Sequence, residues 1–88
     1  MKMNFRQAIQ IGNNVYNILM LPCVISVTKE YWNEDIILRY NLFGDVISKK
    51  YSWGDSIYAY KDDWICEDYD GNWHLLTPSE YKALSEMK

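Results

Sequence analysis

The sequence has little with which to build a metal centre or a nucleophilic enzyme. It contains one histidine, His74, and two cysteines, Cys23 and Cys66. These three show no ligand spacing, so no metal is implied. Glycine is sparse. Gly12, Gly44, Gly54 and Gly71 are scattered and make no phosphate-cradling loop. No nucleophile is placed by a motif such as GxSxG, and Asp62-Asp63 and Glu67-Asp68 lack the Asx-rich loop of a calcium site. The expectation is a protein that is not an enzyme and needs no cofactor. Basic charge is also short. Nine Lys and Arg face twelve Asp and Glu, a formal net charge of -3, which disfavours duplex nucleic acid, whose phosphates call for a basic face. Long apolar runs are missing as well. The longest, residues 15–27, is broken by Asn17, Pro22 and Ser26 and is too short to cross a membrane. The first residues carry no apolar signal core or cleavage motif. The two thiols are therefore expected to be free and buried in a reducing cytoplasm.

Aromatics are plentiful. They make up 16% of the chain, with eight Tyr and four Trp, more than a core of this size readily buries. Tyr and Trp present a large apolar face with one polar handle, which suits interfaces and the stacking of planar ligands; cross-strand pairs and core filling also use them. The length allows one domain, residues 1–88, with one modest core.

The pattern along the chain predicts an α+β fold: a small antiparallel sheet of about five to six strands with a short N-terminal helix and a C-terminal helix. Asn4 and Gln7 suit a capping box for the first helix, with Phe5, Ala8 and Ile9 on one face and Gly12-Asn13-Asn14 as its stop. Residues 15–21 and 24–29 read as strands around Pro22-Cys23, and residues 31–34 as a loop or strand end. Gly44-Asp45 reads as a two-residue turn joining strands 36–43 and 46–53. That register sets Ile36, Leu38, Tyr40 and Leu42 on an apolar face. It sets Ile37, Arg39 and Asn41 on a polar one, with Arg39 opposite Lys50. Asp70-Gly71 reads as a second two-residue turn, placing Glu67 opposite His74 and Cys66 opposite Leu75. Thr77, Pro78 and Glu80 form the capping box of the last helix, with Tyr81 and Leu84 on one side.

Two places invite a ligand. Arg39 and Lys50, like charges across a hairpin, would be relieved by phosphate or by a partner's carboxylates. The run from residue 51 to residue 69 mixes aromatics with acids, where planar bases could stack while carboxylates accept their exocyclic amines, or where a protein surface could dock. His74 facing Glu67 could form a His–carboxylate pair, of a kind that also occurs as plain cross-strand stabilisation.

Two stretches carry a resemblance: Met3-Asn4-Phe5 through Ala8-Ile9 to Gly12-Asn13-Asn14-Val15, and Trp53 followed by Asp62-Asp63-Trp64-Ile65. In these the chain resembles the Thoeris anti-defence sponge family of phages, small α+β subunits that assemble and sequester cyclic nucleotide signals. The resemblance implies a phage counter-defence protein in the cytoplasm of a bacterial host. It would be a homo-oligomer that captures a cyclic nucleotide without cleaving it. It carries Trp53, Asp63 and Trp64 over as matched positions; aromatics would stack the base, and Arg39 or Lys50, singled out by the hairpin register, would neutralise phosphate. An anti-CRISPR-like inhibitor, its acidic aromatic surface covering the basic nucleic-acid channel of a host nuclease, fits the same composition. So does a structural phage protein that only self-associates.

Overall fold

The computed structural model describes residues 4–48, 52–53 and 56–86. In chain order these form β1 (Phe5–Gln10), α1 (Val15–Leu19), β2 (Val24–Trp32), β3 (Asp35–Leu42), β4 (Ser52–Trp53), β5 (Ser56–Ala59), β6 (Trp64–Asp68), β7 (Trp73–Leu76) and α2 (Pro78–Glu86). The expected α+β class and antiparallel pairing are present. The strands, however, divide into two sheets, ordered β1-β6-β7 and β2-β3-β5-β4.

The N-terminal helix is replaced by strand β1, which pairs with the central strand β6. A two-turn helix is marginal without packing, and β6 offers a ladder instead. The bulge between Phe5 and Gln7 explains the misleading period. Phe5 opposes Asp68 and Ala8 opposes Cys66, so one inserted residue puts two apolar side chains three apart on the same strand face. The next segment inverts in the same way. Residues 15–21, expected as a strand, begin with helix α1, whose Val15, Ile18 and Leu19 turn towards the core. Asn14 stands at this start without capping it through its side chain, which instead fixes the preceding turn by accepting from Gly12 N–H at 2.9 Å and donating to the Gln10 carbonyl at 3.1 Å. Gly12-Asn13-Asn14 thus leads into a helix rather than ending one.

The hairpin of β3 also differs from expectation. Its partner is β2, through the two-residue turn Asn33-Glu34 with Asn33 at φ 58°. The backbone partner of Arg39 in this hairpin is Thr28; Lys50, the partner expected for it, lies outside the described residues. At Gly44-Asp45 the chain leaves this sheet, Val46 enters the core, and Ile47 bridges β7 in parallel beside His74. Ile47 N–H donates to Trp73 O and Leu75 N–H to Ile47 O, both at 2.9 Å, which ties the two sheets together.

The Asp70-Gly71 hairpin forms with its register shifted by one. Asp68 N–H donates to Asn72 O, and Gly71 at φ 86° closes a three-residue loop. The Asp68 carboxylate selects this longer loop by accepting from the N–H groups of Asp70 and Asn72 at 2.9 Å each. Cys66 therefore opposes His74, and Glu67 opposes Trp73. Both faces of this sheet are covered. Ile65 and Leu75 join the core shared with Tyr40, Leu42 and Ile57. On the other face Trp64 stacks on Tyr81 of α2, centroids 3.8 Å apart.

The last helix forms as its sequence predicts. Thr77 N–H donates to Glu80 Oε1 at 2.8 Å, and Glu80 N–H to Thr77 Oγ1 at 3.0 Å. Thr77→Ala is expected to lower unfolding free energy by about 1 kcal/mol, the usual worth of such a cap, in urea denaturation; an unchanged midpoint would show that the cap does not contribute to stability.

Candidate functional site: the outer face and tip of the β2–β3 hairpin

Alternation sends Leu38, Tyr40 and Leu42 of β3 inward and leaves Ile37, Arg39 and Asn41 on the outer face. There Arg39 meets its partners. Its Nη1 lies 3.0 Å from Glu30 Oε1, its Nε donates to Asn41 Oδ1 at 3.2 Å, and its guanidinium sits 4.4 Å over the ring of Tyr58. Asn41 donates in turn to the hydroxyls of Ser26 and Thr28. Glu30 also accepts from the Trp32 indole at 2.9 Å and from the Tyr60 hydroxyl at 3.5 Å. The cation expected to await a phosphate is thus already matched by a carboxylate and an aromatic face. A half-buried pair of this kind contributes at most about 1 kcal/mol; its larger effect is to fix the rotamers of the side chains around it.

Beyond this network the hairpin runs past the end of β5, which pairs only with residues 40–42 of β3. Its tip displays Tyr31, 74% exposed, Trp32, 56%, and Ile36, 59%, with Glu34 and Asp35 exposed beside them. Trp32, Ile37, Tyr60 and Lys61 border a shallow cavity of about 370 Å³.

The residues singled out from sequence are not brought together. Arg39 is on the outer face just described. Asp63 is 1% exposed in the turn between β5 and β6, where its carboxylate accepts from Tyr60 N–H at 2.9 Å. Trp64 is engaged by Tyr81 on the far side of the other sheet. Trp53 pairs with Ser56 through its backbone, and its side chain, like Lys50, lies outside the described residues. Reasoning from sequence missed Tyr31 and Trp32, read there as a loop or strand end. The available signal was their place beside Asn33-Glu34, itself a two-residue turn.

His74 is buried with its Nε2 2.8 Å from Asp68 Oδ2; the expected partner Glu67 is one register position away. Cys23 and Cys66 are buried and unpaired, and burial raises their thiols to about 11 and about 12, so neither supplies thiolate at neutral pH. Among the described residues no three His, Cys, Asp or Glu side chains converge as metal ligands, and no helix is long and apolar enough to cross a membrane. No protein-family model, curated protein or solved structure matches the chain.

The His74 imidazole first, then the N–H groups of Asn72 and Asp70, hold the Asp68 carboxyl below its ordinary value, against a contrary effect of partial burial. A carboxyl depressed on folding contributes stability that is complete above its unfolded value near 3.8 and is lost as pH falls through the lower folded value. Urea midpoints measured from pH 6 to pH 2 are expected to fall less steeply below about pH 4 in Asp68→Asn than in the parent. Parallel curves would mean that the Asp68 charge does not contribute.

Proposed function

We propose that this protein acts by binding another protein, with the β2–β3 hairpin tip as its contact. The observation that carries this reading is the exposure of Tyr31 and Ile36 as a cross-strand pair on one face, and of Trp32 on the other, at the end of a paired hairpin flanked by Glu34 and Asp35. Large aromatics of this kind supply most of the energy of protein interfaces. The acids beside them, in a chain of net charge -3, favour a basic target and faster encounter with it. In the phage setting that the resemblance implies, such a target would be the nucleic-acid channel of a host nuclease.

Capture of a cyclic nucleotide is a second reading, and the resemblance still motivates it. Its support is reduced by the engagement of Arg39 with Glu30 and by the dispersal of Asp63 and Trp64 from the open face. Self-association, which that family would imply, would draw on the outer edge of β2, along which no strand runs among the described residues.

Affinity capture from bacterial lysate, followed by titration of the captured protein, tests the leading reading. Trp32→Ala is expected to weaken binding by at least about thirtyfold, the 2 kcal/mol of an interface hot spot, and affinity is expected to fall as salt rises. Equal capture by Trp32→Ala and Tyr31→Ser would overturn the assignment to the tip. Retention of intact cyclic nucleotide, released on heat denaturation, would favour the second reading.

A further inference from the structure

Strand β3 has two edges, and one of them is used only in part. Along the first it pairs with β2 over its whole length. The two-residue turn makes Trp32 and Asp35 a hydrogen-bonded pair, so residues 35, 37, 39 and 41 turn their backbone N–H and C=O towards β2. Ile36, Leu38, Tyr40 and Leu42 turn theirs to the second edge. There Tyr40 and Leu42 meet Ala59 and Ile57 of β5. After Ala59 the chain turns at residues 60–63, with Asp62 at φ 76°, and leaves for the other sheet, where Asp62 N–H donates to Ile11 O at 2.8 Å. The N–H and C=O groups of Ile36 and Leu38 therefore face an edge along which no strand runs among the described residues.

A hollow lies on each face of this open edge. On the inner face Ile11, Gly12, Ile36 and Leu38 border a cavity of about 250 Å³. On the outer face is the shallow cavity of about 370 Å³ beside Trp32, Ile37 and Tyr60. Ile37 and Lys61 border both, which places the two hollows beside the same stretch of edge. A strand laid along an edge sends successive side chains to opposite faces. Free ladder positions with a recess on each face are what the addition of an extended segment uses: main-chain hydrogen bonds supply attraction, and alternate pockets supply selectivity. A small apolar ligand would fill a hollow and leave the backbone groups of Ile36 and Leu38 to water.

We propose that the partner engaged by the hairpin tip adds an extended segment antiparallel to β3 at residues 36–38, in the line that β5 vacates. Antiparallel is the sense of the other pairings in this sheet. The residues of the segment opposite Ile36 and Leu38 exchange backbone hydrogen bonds with them and point their side chains into the inner hollow, whose size suits aliphatic groups. The residue between them, opposite Ile37, points an aromatic ring into the outer hollow against Trp32 and Tyr60. The next residue, opposite Asp35, is basic and meets the exposed acids Glu34 and Asp35. This proposal rests on the reading of the tip as a protein contact, since Ile36 and Trp32 belong to the tip and also border the two hollows.

The probe is the blocked peptide Thr-Val-Phe-Val-Lys, titrated into the protein and followed in amide nitrogen–proton spectra with hydrogen exchange. Saturable shifts and slowed exchange are expected at the Ile36 and Leu38 amides, but no slowing at Ile37 and Arg39, whose amides already bond to β2. N-methylation of both valines removes the donors that reach β3 and is expected to weaken binding at least about tenfold. N-methylation of the phenylalanine, whose N–H points away from β3, is expected to leave affinity unchanged. Ile36→Pro is expected to weaken binding about fivefold beyond Ile36→Thr, because both shorten the side chain and only proline removes the N–H. The peptide comparison decides the matter even where Ile36→Pro does not fold. Absence of saturable shifts at Ile36 and Leu38 would overturn strand addition, as would equal affinity of the valine-methylated peptide. A dimer of the free protein with both amides already protected would assign the edge to a second copy and overturn it too. Failure of the peptide while Trp32→Ala still weakens the captured protein would overturn strand addition and leave the tip reading intact. The expected peptide shifts together with equal capture by Trp32→Ala would support the edge and remove the tip.

Discussion

The turn at Asp63 is the constraint on which the rest of the structure depends. This buried carboxylate accepts the Tyr60 N–H, while Asp63 N–H donates to the Tyr60 carbonyl, closing the chain tightly just after β5. A carboxylate taken out of water requires such partners. The closed turn directs β6 away from β3 and alongside β1, where Ile11 pairs with Asp62 and Asp63 through the backbone. One strand pairing therefore stops at Ala59 and another starts at Trp64. The division into two sheets, the central place of β6 and the overhang of the β2–β3 hairpin all follow from this change of sheet.

The sequence was most legible where a feature depends on neighbours along the chain. The Thr77–Glu80 cap needs four consecutive residues and forms as expected. Alternation within β3 also holds, because the faces of Leu38, Arg39 and Tyr40 are set by the strand's own period whichever strand lies beside it. Partner choice is a different matter. Gly44-Asp45 and Asn33-Glu34 both offer a two-residue turn to the same strand, and alternation is equally compatible with either. Pairing β3 with β2 leaves Val46 for the core and Ile47 for the bridge to β7, a long-range gain that no local pattern records. The bulge in β1 and the one-residue shift after Asp68 are similar cases. A single inserted residue reproduces a helical spacing in the first and changes every cross-strand partner in the second.

The candidate site was legible only in part for the same reason. Arg39 stood out as a cation facing another cation, but that opposition belonged to the other hairpin. In the actual register Glu30, which drew no notice in the sequence, stands close enough to neutralise it. Asp63 and Trp64 stood out as an acidic-aromatic pair. Successive residues of an extended chain point to opposite sides, and here one closes a turn while the other carries α2. The aromatic excess divides accordingly. Trp64 and Tyr81 hold a helix, Tyr58 supports a guanidinium, and Tyr31 and Trp32 remain at the hairpin end with no core to enter.

The exposed hairpin tip is a consequence of one mismatch in strand length. β3 runs from Asp35, whereas β5 accompanies it only from residue 40 onward. Past the end of β5 this overhang leaves Tyr31 and Ile36 exposed on one face and Trp32 on the other, with a cavity lined by Tyr40 and Lys61 beside it. Ile36 belongs to both, and Ile37 lines that cavity as well as the shallower one beside Trp32. A strand edge without a neighbour costs unmet backbone hydrogen bonding and invites pairing with other chains. The shortness of β5 has a local cause, since the Asp63 carboxylate closes the chain just after Ala59 and sends it to the other sheet, and the exposure of the hairpin tip follows from that turn.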